Sequence, residues 1–104
     1  MHTVPLKLVT IVAEPVLEER IVTMLRELGA TGWTVTPCRG EGSRHIRASD
    51  PPGDGVRIET IVSAEAADRA LERVAQDFFA HYAVIAWVGD VAVVRGDKYV
   101  RGDG

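Results

Sequence analysis

The chain has 104 residues, 46% of them apolar and 26% charged, with a formal net charge of −3. That length fits one domain with a single modest core, and the ordinary apolar fraction with a slightly acidic balance excludes both a disordered chain and a general nucleic-acid surface. A lone cysteine, Cys38, excludes an intramolecular disulfide and a multi-cysteine metal site; with no basic leader in residues 1–14 and no apolar run near the ~20 residues of a membrane span, the expected compartment is a reducing cytoplasm.

Leu6 to Ala13 is almost continuously apolar and predicts a strand buried on both faces. From Val16 to Leu28, the positions Leu17, Ile21, Met24, Leu25 and Leu28 recur at three- and four-residue intervals, one stripe of a helix. Pro15 suits the first turn, Glu18 and Glu19 complement the positive helix end, and Gly29 closes it. Trp33 to Arg39 predicts a second strand centred on Thr34, Val35 and Thr36. Cys38 within it reads as a small buried apolar residue, with a thiol activated by Arg39 as the alternative.

Gly40 to Gly55 then runs 16 residues with four glycines and two prolines. Loops of that length in compact domains are usually functional or disordered. Gly40 and Gly42 remove Cβ atoms that would keep a ligand from the main chain, Ser43 adds a hydroxyl, and Arg44 and Arg47 add planar forks suited to phosphate or carboxylate. One reading is an anion-binding loop; the other is a solvated hairpin loop whose arginines touch only water.

Beyond the loop, Val56 to Val62 alternates Val56, Ile58 and Thr60 against Arg57 and Glu59, a strand signature. Ser63 can cap a helix whose stripe is Ala67, Ala70, Leu71, Val74, Ala75 and Phe78. Tyr82 to Val88 predicts a fourth strand, and Gly89-Asp90 a turn into a short fifth, Val91 to Arg95. The histidines His2, His45 and His81 are scattered, without the spacing of a metal site. The order predicts an α+β chain, a ferredoxin-like βαββαβ sandwich with a short C-terminal strand and a long loop between strands 2 and 3. In the first strand Leu6, Leu8 and Val12 oppose Val9, Ile11 and Ala13, and in the fourth Val84 and Val88 oppose Ile85 and Trp87. Both faces are therefore apolar, the helices can cover one, and self-association is expected to cover the other.

The spacing Gly-x-Thr-Val-Thr-x-x-Arg-Gly-x-Gly at Gly32 to Gly42 resembles the start of the signalling loop of PII proteins. The runs Lys7 to Glu14, Gly42 to Ser49 and Phe79 to Ala83 are similar to the PII-like branch of SbtB and the carboxysome-associated PII proteins. The resemblance implies a homotrimer that binds an adenine nucleotide (AMP, ADP or cyclic AMP) between subunits. It also implies bicarbonate as a further ligand, and a loop that regulates a bicarbonate or SulP-type transporter at the inner face of the membrane, or carboxysome-linked carbon metabolism. By position, Gly40, Gly42, Ser43, Arg44 and Arg47 would hold the phosphates, with Arg95 as a further candidate. Thr34 and the backbone of Ala83 and Val84 would meet the base, with Glu59 and Ile61 near the ribose.

Departures from the family pattern narrow the expectation. The chain lacks the lysine-bearing Gly-rich turn after the second helix, the loop-tip tyrosine and the glutamine of the 2-oxoglutarate site, so a nitrogen sensor is not expected. Val84 stands where SbtB has glycine, and the C-terminal cysteine pair of some SbtB proteins is absent. The expected role is non-enzymatic, without cofactor, metal or nucleic acid. Two alternatives stay open: a slow nucleotide hydrolase built on Glu41, Asp50 or Asp54 with a metal, and a trimeric scaffold that binds no ligand.

Overall fold

The structure, a computed structural model, describes residues 1–40 and 54–95. In chain order come β1 (Val4–Ala13), a 3-10 turn (Pro15–Leu17), α1 (Glu18–Glu27), β2 (Thr34–Arg39), β3 (Asp54–Val62), α2 (Ala64–Phe78) and β4 (Val84–Val93). The strands form one antiparallel sheet in the order β2-β3-β1-β4, the ferredoxin-like plan expected from the alternation of elements.

Local chemistry accounts for the helix ends. The Ser63 hydroxyl accepts the Ala66 N–H at 3.1 Å, an N-cap typically contributing about 1 kcal/mol. At the other helix, Gly29 adopts φ 97°, which lets its N–H reach the Arg26 carbonyl at 3.1 Å and the Ala30 N–H reach that of Leu25 at 3.0 Å. Those two bonds are the glycine-dependent closure foreseen for this position. The helix itself starts later than the expected Val16, because Pro15 to Leu17 wind as a tighter turn that still buries Leu17.

Both helices cover one face of the sheet. Val9, Ile11 and Ala13 of β1, Val56, Ile58 and Val62 of β3, Ile21, Met24 and Leu25 of α1, and Ala66, Ala67, Ala70, Val74 and Phe78 of α2 form one buried cluster. The opposite face carries Leu8, Val12, Ile61, Ile85 and Trp87, as cross-strand register requires. Ile85 is 58% exposed and Trp87 42% exposed there, so the second apolar face lacks cover within the described residues of one chain.

The expected fifth strand is corrected: Val91 belongs to the outer part of β4, which runs unbroken through Gly89 and Asp90, and Arg95 follows it with a positive φ of 67°. Cross-strand pairing overrides the turn chemistry. Gly89 lies opposite Leu8 and Asp90 opposite Lys7, whose ammonium pairs with the Asp90 carboxylate, and the continuation lengthens β1 outward to Val4 opposite Val93. Pro37, which cannot donate to a ladder, is tolerated because β2 is an edge strand. No helix among the described residues is long and apolar enough to cross a membrane.

Candidate functional site

The segment Thr31-Gly32-Trp33 approaches β2 from the end of α1. Trp33 is half-buried, with the Arg26 guanidinium 5.1 Å above its ring. Where β2 starts, Thr34 lies opposite Glu59 of β3, and Ile61, two residues further on the same face, lies opposite Leu8 of β1. A cleft of about 420 Å³ opens between these walls, lined by Leu8, Thr31, Gly32, Trp33, Thr34, Glu59, Thr60 and Ile61. That volume lies within the usual range for a small-molecule site.

The chemistry of the lining is mixed in a useful way. Leu8, Ile61 and Trp33 offer apolar surface to a flat ring. Thr34 supplies a hydroxyl, and the Glu59 carboxylate, 3.6 Å from the Arg57 Nε, can accept from hydroxyl or amino groups. Arg57 also lies 5.8 Å from the centre of the Trp87 ring, reaching across β1 over the open face. Thr34, Glu59 and Ile61, anticipated for base and ribose, are therefore brought into one cleft.

Ala83 and Val84 are not. They stand at the start of β4, the edge opposite β2, three strand spacings or roughly 15 Å away across the sheet. The Ala83 N–H donates to Glu14 Oε2 at 2.6 Å, so that main-chain donor is engaged within its own subunit. Val84 pairs with Ala13 and packs against the core cluster. Next to this corner, Arg20 Nη1 donates to the Tyr82 hydroxyl at 3.3 Å, and its guanidinium lies 4.9 Å from the centre of the Phe78 ring.

The phosphate candidates divide as well. Gly40 is exposed at the end of β2, and a Cβ built there meets nothing within 4 Å, so packing does not require glycine at this point. Gly42, Ser43, Arg44 and Arg47 lie outside the described residues, as do Glu41 and Asp50; Asp54 is exposed at the base of β3. Arg95 lies at the far end of the sheet. Val93 is level with Val4, whereas Arg39 and Asp54 lie two residues beyond the level of Ala13, a separation on the order of 35 Å along the strands. Within one subunit, Arg95 and the base of the loop thus cannot grip the same phosphate.

Leu8, Trp33 and Thr60 line the cleft without having been singled out as site residues. Leu8 was legible only as part of the bare face. A second hollow of about 400 Å³ lies between α1 and α2, but its Arg73 is already held by Glu27 at 3.6 Å and Asp77 at 3.1 Å, which leaves it poorly suited to an anion.

The family model described as nitrogen regulatory protein P-II matches residues 6–98. A PII-like signalling protein from Thermus thermophilus is 60% identical over 96% of this chain and 100% of that one, with a TM-score of 0.83. CPII from Thiomonas intermedia, solved with ADP and bicarbonate, is 26% identical over 93% of this chain and 96% of its own, with a TM-score of 0.79. The same protein with ADP, AMP and bicarbonate is 26% identical over 89% and 97% of the two chains, with a TM-score of 0.76.

Proposed function

The chain belongs to the nitrogen regulatory P-II family, and on that premise we propose that it is a signalling protein that binds ADP or AMP between copies of itself. The observation that carries this reading is the division, between two sheet edges, of the residues that the resemblance assigns to base and ribose. Thr34, Glu59 and Ile61 line a cleft beside β2, while Ala83 and Val84 stand at the β4 edge. A single nucleotide meets both sets only if the β4 edge of one subunit faces the β2 edge of another. A homotrimer closes that arrangement head to tail, and it covers the apolar sheet face at the same time.

CPII binding of ADP, AMP and bicarbonate supports the same ligand classes here. In this reading the cleft takes adenine and ribose, and Gly40, Gly42, Ser43, Arg44 and Arg47 take the phosphates through backbone N–H groups and guanidinium forks. Bicarbonate, a small planar oxyanion, suits the same arginines. Cyclic AMP is a third nucleotide of the class. The protein signals rather than catalyses: nucleotide shifts the population of loop conformers, which requires different affinity for two loop states. The SbtB or carboxysome-associated branch supplies the partner, a bicarbonate transporter at the cytoplasmic face of the membrane.

Arg47→Ala is expected to weaken ADP by about 1.5–3 kcal/mol, the worth of a hydrogen bond to a charged group, while leaving adenosine nearly unchanged. Calorimetric titration of both ligands checks it, and an equal loss for the two removes Arg47 from the phosphate role. Slow release of AMP from ADP, abolished by Glu41→Gln, would instead favour a hydrolase.

A further inference from the structure

β2 leaves the ladder at Thr34, opposite Glu59; the pair that would come next, Trp33 with Thr60, is not formed. A side chain replaces it. The Thr60 hydroxyl donates to the Gly32 carbonyl at 2.6 Å, from a residue only 3% exposed. Thr60 belongs to the cleft wall formed by Glu59, Thr60 and Ile61, and Gly32 to the facing wall formed by Gly32, Trp33 and Thr34. This bond therefore ties one wall to the other.

The ladder joins the same walls at Thr34 and Glu59, one pair away, and this bond extends that tie to Gly32. Gly32 has no side chain to pack, and a Cβ built on it meets nothing within 4 Å. The Arg26 guanidinium over Trp33 comes from an exposed arginine of α1, so it does not link Trp33 to the β3 wall. A short hydrogen bond from a fixed, buried hydroxyl is by contrast directional and shielded from competing water.

Resting on the nucleotide reading above, we infer that Thr60 is a positioning residue of the cleft, a clasp that sets the width between Gly32 and the Glu59–Ile61 wall, beyond the Thr34–Glu59 pair, and so the fit of the base and ribose. The Thr60 hydroxyl acts on the ligand through Gly32, because its hydrogen is already donated to that carbonyl. Valine keeps the shape of threonine and removes the donor; serine keeps the donor and removes the methyl group.

The test is calorimetric titration of ADP and of adenosine into the full chain and its Thr60→Val and Thr60→Ser variants, with melting temperatures alongside. Thr60→Val is expected to weaken both ligands alike, by about five- to tenfold, the equivalent of one buried hydrogen bond, and Thr60→Ser to stay within about twofold of the parent. The equal loss separates the clasp from a phosphate contact. A merely structural role lowers the melting temperature and leaves the affinity of the folded protein unchanged, so unchanged affinities in Thr60→Val overturn the clasp and leave the nucleotide reading standing. A parent chain that binds neither ligand overturns both. Should Thr60→Val fail to fold, Thr60→Ala set against Thr60→Ser decides the same question: a loss confined to alanine supports the clasp, and equal affinities overturn it.

Discussion

Truncating Phe78 to alanine is expected to lower the free energy of unfolding by about 3–5 kcal/mol, the range for removing a buried aromatic ring from a packed core. Phe78 ends α2 at 2% exposure, and its ring meets that of Tyr82 edge-on at 6.3 Å and 70°. The Arg20 guanidinium covers it at 4.9 Å and Tyr82 at 5.7 Å, so a single side chain joins α1, α2 and the corner that leads into β4. Deleting the ring leaves a cavity at the meeting point of three elements and strips the arginine of a cation–π partner. Because a domain this size has about 5–15 kcal/mol of stability in all, the variant should unfold at much lower urea. Equilibrium unfolding at a fixed protein concentration measures it, since association adds a concentration-dependent term. A loss below about 1 kcal/mol would mean that Phe78 is not the pivot its packing indicates.

Ile85→Glu should dissociate the assembly while leaving the subunit folded. Ile85 lies on the sheet face away from the helices, opposite Val12, and is outside the buried cluster that holds the subunit together. In an oligomer whose sheets face inward, burying that side chain contributes roughly 1.5–3 kcal/mol per subunit, and a carboxylate in its place adds an unpaired buried charge costing several more. The closed symmetry repeats both terms at each interface. Sedimentation velocity at micromolar concentration should then give a single-chain species with an unchanged circular dichroism spectrum. A variant that sediments like its parent places the interface elsewhere.

The architecture was legible wherever burial and backbone chemistry agree. Two apolar faces in β1, the stripe of Ala67, Ala70, Val74 and Phe78, Ser63 as a cap and Gly29 as a closure are each dictated by neighbours close in sequence, whereas Leu71 is only half-buried, Ala75 is exposed and Ala66 takes a core place instead. Gly89-Asp90 misled, because its local turn preference was outweighed by pairing with Leu8 and Lys7, more than eighty residues earlier. The site was legible in part. Resemblance named Thr34, Glu59 and Ile61, and antiparallel register brings them together, but no local signal reveals that Ala83 and Val84 stand at the opposite edge or that Arg95 lies at the far end of the strands. Thr60 was readable only as a strand residue, since its role depends on a carbonyl 28 positions away.

The most direct test is a crystal structure of the chain grown with ADP. The account predicts three subunits around one axis, each nucleotide with its base against Thr34 and its ribose by Glu59 and Ile61 of one subunit, beside Val84 of the next, and its phosphates within reach of Arg47. A nucleotide held wholly within one subunit, or seated away from the β2 cleft, would contradict it.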